Sequence, residues 1–303
     1  MCKKQRMILS SHKLTAAIPA ILAVAGIVFA GELSINEFVA SNTSGLKDED
    51  GDRPDWLELY NSSSVSNKNL DGWYLTDNPG DLRKWRFPAT NLPPLGYLIV
   101  FASNKDRTNV GSRLHANFQL SASGEYLALV RPDGTNIEHQ YQPSFPAQTP
   151  DVSYGIKADR LTYGFFTNPT PGSANALQSF MGTQQAPAFS RVSCTFTQNF
   201  SLVLTAASSN AQIRYTADRS IPTESSTLYT GAIAIASTTQ IRARAYETSM
   251  IPSRIITHSF VKLASDTWGF SSDLPLVLID NFGIGSIPSE EPKQNAFFAV
   301  FDR

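Results

Sequence analysis

Short alternating runs, broken by turn residues about every 8–12 positions, recur along most of this chain, and that spacing points to a β-sandwich or barrel. Asp55-Trp56-Leu57-Glu58-Leu59-Tyr60 sets Leu57 and Leu59 on one face, and Trp85-Arg86-Phe87 alternates again. Residues 97–101 are apolar throughout, the pattern of a strand buried on both sides. Phe118 and Leu120 share a face, and Pro132-Asp133-Gly134 turns the chain back after the strand at residues 126–130. A second series follows, in which Ile213 pairs with Tyr215, Ile233 with Ile235, and Ile241, Ala243 and Ala245 oppose Arg242 and Arg244. No stretch after Ala30 keeps a helical period. The fold class expected is all-β, as two immunoglobulin-like sandwiches in series.

Turn-rich and small polar stretches divide the chain. Asn168-Pro169-Thr170-Pro171-Gly172-Ser173-Ala174-Asn175 closes the first series, and the residues after it are small and polar. The expected organisation is a signal segment at 1–30, a sandwich at 31–176, a linker at 177–186, a second sandwich at 187–263 and an incomplete segment at 264–303. The signal expectation rests on Lys3, Lys4, Arg6 and Lys13 ahead of an apolar run at 14–29, with small residues at Val28 and Ala30. An uncleaved anchor is the other reading of that run, but it is short for a span and interrupted by Pro19. Cleavage after Ala30 leaves a secreted or cell-surface chain with no membrane span. It also leaves Cys194 without an internal partner, expected as a buried, inert thiol.

Composition narrows the partners. Lys and Arg total 25 against 26 acids, with no basic stripe, so nothing supports nucleic-acid binding. Charged residues make up 17% of the chain, below the roughly 25% of an average soluble protein. The expected partner is an extracellular protein or a carbohydrate.

Chemistry-bearing patterns are few. Asp48, Asp50, Asp52 and Asp55 alternate around Gly51, a spacing that can fold oxygens around calcium, which takes six to eight such ligands. The helices and the bidentate glutamate of an EF-hand are missing, so a solvated acidic loop is the competing reading. Trp73, Tyr74 and Trp85 form either a ligand surface or core, since periodicity does not say which way they face. His115, His139 and His258 match no metal or triad spacing, and no nucleophile elbow is present. No catalytic or cofactor-binding residue is expected, no cofactor is required, and calcium is the one metal left open.

Three family resemblances add to this reading. Ile35-Asn36-Glu37, Asp55-Trp56-Leu57-Glu58-Leu59-Tyr60-Asn61, Leu70-Asp71-Gly72-Trp73-Tyr74-Leu75-Thr76-Asp77, Gly124-Glu125-Tyr126-Leu127-Ala128-Leu129 and Pro171-Gly172-Ser173-Ala174-Asn175 resemble, in order, the lamin-tail domain of secreted bacterial multidomain proteins. That resemblance implies an immunoglobulin-like sandwich over about 31–176. Ile213-Arg214-Tyr215-Thr216, Leu228-Tyr229-Thr230-Gly231 and Ile241-Arg242-Ala243-Arg244-Ala245-Tyr246 are similar to the C-terminal module of chitobiase and β-hexosaminidase, an accessory sandwich without catalytic carboxylates. The stretch from Leu274 resembles the opening of a CotH kinase-like domain. The function expected is a non-catalytic binding, scaffold or adhesion protein. The alternative is the accessory front of a larger extracellular enzyme whose catalytic part lies beyond Arg303.

Overall fold

The computed structural model describes residues 31–109, 111–267, 274–283, 285 and 296–301. The expected signal segment lies outside the described residues, as do parts of the 264–303 segment. The chain is all-β, and among the described residues no helix is long and apolar enough to cross a membrane.

Two facing sheets make the first sandwich. One has six strands in the order Tyr163–Phe166, Ser153–Ile156, Leu33–Val39, Asp55–Asn61, Tyr97–Ala102 and Leu114–Ala116, antiparallel except for the last pair. The other runs Ile137–Tyr141, Leu127–Val130, Tyr74–Thr76 and Trp85–Arg86. Leu57, Leu59, Leu75, Phe87, Val100, Leu127 and Leu129 are fully buried between them. Each such side chain contributes about 1.5–3 kcal/mol by leaving water.

One irregularity decides what the outer face of the larger sheet carries. The register between the first two strands is Ile35 with Leu59, then Glu37 with Glu58, so Asn36 is an extra residue in a β-bulge. Plain alternation would have grouped Leu33, Ile35, Glu37 and Val39. The bulge instead sends Leu33, Ile35, Phe38 and Ala40 into the core and sets Glu37 beside Glu58.

The second sandwich has a five-stranded sheet ordered Cys194–Phe196, Ile256–Lys262, Thr239–Tyr246, Gln212–Thr216 and Thr227–Leu228. It packs on the paired strands Phe200–Leu202 and Ile233–Ile235 through Leu202, Ile213, Ile235, Ile241, Ala243 and Phe260. Cys194 is half-buried against this core rather than enclosed in it.

Residues 177–186, expected as a plain linker, are stitched to both sandwiches. Phe180 exchanges both backbone hydrogen bonds with Phe165, at 2.9 Å each, and so extends the edge of the six-stranded sheet. Met181 N–H donates to Ser249 O, Gln184 N–H to Ile251 O, and Ile251 N–H to Gly182 O, each at 2.8 Å. The Gln184 amide reaches Glu247 at 2.7 Å, and the hydroxyls of Thr149 and Thr183 meet at 2.8 Å. Val152, Phe165 and Ile251 form a small apolar cluster across the seam, with Tyr154 and Phe180 packed on it. The linker expectation rested on side-chain polarity, whereas this stitching is done mostly by the backbone.

Further on, Leu276–Asp280 and Phe297–Phe301 pair as an antiparallel two-stranded sheet. Val277, Ile279, Phe298, Val300 and Phe301 remain exposed on it.

Candidate functional site

Residues 42–54 fold over the outside of the six-stranded sheet, where Leu46 packs on a cluster of Val39, Trp56 and Phe101. The Asn42 side chain shapes this loop by donating to Leu46 O and Pro54 O and accepting from Gly45 N–H. Trp56 is buried at 1% exposure, so the loop acts as its lid. The structure brings Asp48, Asp50 and Asp52 together, with one carboxylate oxygen from each lying within 4.8 Å of the others. Asp55 is directed elsewhere. It accepts the Asn42 N–H at 3.2 Å, and burial pushes its carboxyl up to about 6.

The three gathered carboxylates converge on an ammonium. Lys105 Nζ lies 2.5 Å from Asp48, 2.7 Å from Asp50 and 2.9 Å from Asp52. Arg107 pairs with Glu49 and Asp50, and Arg113 donates to Lys47 O. The Arg107 and Lys105 cations hold the Asp50 carboxyl at about 2, and the same carboxylates raise Lys105. Lys105 Nζ occupies the place a cation would take, so a calcium ion would first have to displace it and then complete its six to eight oxygens with carbonyls or water. The expected result is a wild-type melting temperature that stays flat up to millimolar calcium. Lys105→Met should destabilise the loop by about 1–2 kcal/mol, because the buried Asp48 loses its partner, and calcium should restore part of that. Differential scanning fluorimetry with and without chelator checks both, and a wild-type rise of several degrees with calcium would refute the ammonium-cradle reading.

The structure also joins three residues that no spacing rule links. Ser103 Oγ lies 2.8 Å from His115 Nδ1, and His115 Nε2 lies 3.1 Å from both Glu49 carboxylate oxygens. The connectivity is that of a nucleophile, a base and an acid. The ring, however, is wholly buried and stacked on Phe101, and Ser103 Oγ already accepts the Lys105 N–H. The contacts therefore brace the acidic loop against the strand end. The Glu49 backbone N–H, His115 and Arg107 together hold the Glu49 carboxyl at about 2.

Trp73, Tyr74 and Trp85 do not assemble into one ligand surface. Trp85 is a core residue at 2% exposure, with its ring on Phe87 and its Nε1–H donating to Asp106 at 3.1 Å. Trp73 is half-buried against that same core. Tyr74 projects to the opposite side of the four-stranded sheet, into a cluster with Tyr126, Ala128 and Val130. The short pairing of Tyr74–Thr76 with Trp85–Arg86 alternates in and out, and it is this alternation that sets Tyr74 apart from the two tryptophans.

The most closely built polar arrangement sits at the bulge. Glu37 and Glu58 face each other across adjacent strands, both fully buried. Glu37 accepts from Ser153 Oγ and from the Thr170 N–H at 3.0 Å, while Glu58 accepts from the Gly172 N–H and from Asn36 Nδ2 at 3.1 Å. Asn175 Nδ2 donates to Asn36 O and Ile156 O, and Arg160 holds Asn36 and Ser34. The two glutamates thus clamp the Thr170-Pro171-Gly172-Ser173 turn onto the sheet. Gly172 takes a positive φ of 81° there, and Ser173 N–H closes the turn on Thr170 O. Burial raises both carboxyls, Glu58 to about 7. Sequence reading found the Pro-Gly turn and both glutamate motifs but not their contact, which depends on the bulge.

Comparison with known families fits this architecture. Residues 30–143 match the family model described as Lamin Tail Domain, and residues 202–260 match the one described as Fn3 associated. The first match ends before the Ser153–Ile156 and Tyr163–Phe166 strands, which complete the six-stranded sheet. The second lies within the second sandwich. No curated protein matches the chain.

Proposed function

We propose that this chain is an exported, non-catalytic scaffold that holds binding surfaces at a fixed spacing outside the cell. The seam supports this reading. A connecting segment hydrogen-bonded to both sandwiches ties them together along a seam, which suits a spacer or adhesion protein whose partner is an extracellular protein or a carbohydrate. The inference from sandwich modules to scaffolding is by fold analogy, so the test is mechanical. Dyes on cysteines placed at exposed Val65 and Ile221, with Cys194 changed to serine, should give one narrow single-molecule energy-transfer distribution. A broad distribution, like that of two beads on a string, would end the spacer reading. Export is tested on the same preparation, since secreted material should begin at or near Gly31.

A second reading treats the two sandwiches as the accessory front of a larger extracellular enzyme. The exposed Val277, Ile279 and Phe298 on the last sheet favour it, because such strands are stable when further protein covers them. In this reading the second sandwich is of the chitobiase type and the last sheet opens a CotH-like domain. Sequencing the gene past codon 303 decides between the two: an open frame encoding a catalytic domain favours the second reading, and an immediate stop the first.

A further inference from the structure

An open groove of about 530 Å³ lies where the connecting segment meets the second sandwich. Its floor is the outward face of two paired strands, on which Gln212 sits directly opposite Tyr246. Phe180, from the connecting segment, forms part of its wall. The connecting segment therefore closes one side of a groove built mainly by the second sandwich.

The lining is pre-shaped. Tyr246 is pinned by its hydroxyl, which donates to Pro222 O at 2.8 Å, and by the Arg244 guanidinium 5.7 Å from its ring centroid. Arg244 is itself tied to Ser253 O and Pro252 O. Arg214 is oriented by Ser226 O and by the Gln212 amide oxygen, leaving the Gln212 NH₂ as a donor. Asn210 and Glu224 are exposed on the rim, and among the described residues neither side chain has a partner.

This chemistry selects a ligand class. One arginine stands against two glutamates, Glu224 and Glu247, so the groove disfavours phosphates, nucleic acid and acidic polymers. It lies on a strand face and not along an open edge, so it is not shaped for β-strand addition by a peptide. An aromatic ring flanked by amides and a carboxylate offers a stacking surface together with mixed donors and acceptors. A pyranose presents the complement, an apolar C–H face ringed by hydroxyls that both donate and accept. We propose that the groove binds a neutral oligosaccharide, with Tyr246 as the stacking platform and Asn210, Gln212 and Glu224 holding the hydroxyls. This deepens the scaffold reading by naming a carbohydrate as the partner at one surface.

The test is isothermal titration of residues 31–303 with cellohexaose, maltohexaose, xylohexaose and mannohexaose, and with oligogalacturonate as the acidic arm. At least one neutral hexasaccharide should bind, with a Kd of about 10⁻⁴ M. Glu224→Ala and Asn210→Ala should each weaken it about tenfold with unchanged melting temperatures, since both side chains are exposed. Tyr246→Phe, which keeps the ring, should retain binding, and Tyr246→Ala should abolish it. Failure of all four neutral probes at 10-millimolar scale, binding of the acidic probe alone, or binding indifferent to Glu224→Ala and Asn210→Ala would each overturn the proposal. The energy-transfer measurement is independent of any sugar, so a rigid chain that binds none of the neutral probes refutes the groove while leaving the scaffold reading intact.

Discussion

Substituting Gly155 by alanine should lower the melting temperature of the first sandwich by about 6–12 °C. Gly155 pairs with Glu37 across the Ser153–Ile156 and Leu33–Val39 strands. A Cβ at this position would press into Asn36 O, lie 2.8 Å from Glu37 Cα and come within 3.1 Å of Asn175 Nδ2. The first two are backbone atoms of the bulge and have no rotamer to swing away. Relief requires the strands to part, which also pulls Asn175 off Asn36 O and Ile156 O. Overpacking of this kind costs about 1–3 kcal/mol, and rigid neighbours place the site at the upper end. For a sandwich of this size each kcal/mol moves the midpoint by about 2–4 °C. Gly231→Ala is the control, because nothing lies within 4 Å of its Cβ, and it should be close to neutral. Calorimetry of both variants decides it, and equal midpoints would mean that the strands are not this tightly apposed.

The strands of both sandwiches were legible because their alternation is clean. Leu57 with Leu59, Trp85 with Phe87, and Ile241 with Ala243 face the cores that their period-two pattern predicts, and Ala245 is buried in step with them. Residues 97–101 read as covered on both faces, yet Tyr97, Leu98 and Ile99 are only half-buried; the deep burial begins at Val100. The first strand was legible as a strand but not in its facing. A bulge at Asn36 changes which residues point inward, and its one trace in the hydrophobic pattern is a break of phase between Ile35 and Phe38 that a period-two reading of so short a strand passes over. The seam was hidden for a related reason. Gly182 and Gln184 look like linker residues, but their backbones are paired with Ile251.

Site residues were harder to read, because their partners are distant in sequence. The acidic loop advertises itself, whereas the cation that fills it, Lys105, lies more than fifty residues away in an unremarkable stretch. Likewise Ser103, His115 and Glu49 meet only because the Tyr97–Ala102 and Leu114–Ala116 strands run parallel beside the loop. The Trp73, Tyr74 and Trp85 pattern leaves surface and core both open because aromatic residues serve cores and binding faces alike, and only the register of Tyr74 with Arg86 and Leu75 with Trp85 tells them apart.

Glu58→Gln should remove a pH dependence from the first sandwich. In the folded chain burial raises this carboxyl from an ordinary 4.5 to about 7, with the facing Glu37 adding to the shift. Between those values the folded state holds a proton that the unfolded state has released, so stability falls as pH rises. The contribution is fully present below about pH 4.5 and is lost as pH passes through about 7. At 1.36 kcal/mol per unit, the loss approaches about 3 kcal/mol by pH 8. Glutamine keeps an oxygen to accept the Gly172 N–H and cannot ionise. Other groups titrate in the same range. Burial raises Asp55 in the same sense, while it pushes His139 down to about 3, so that the histidine's contribution is lost as pH falls below 6.5. Both are common to wild type and variant, so they cancel in the difference. Glu37 is coupled to Glu58 and does not cancel, which makes Glu37→Gln the necessary companion variant. Urea unfolding at pH 5 and pH 8 should show wild-type stability falling relative to Glu58→Gln, and the gap should persist in the Glu37→Gln background. Parallel pH curves for wild type and Glu58→Gln would mean that Glu58 is already ionised when folded, with the Gly172 and Asn36 donors outweighing its burial.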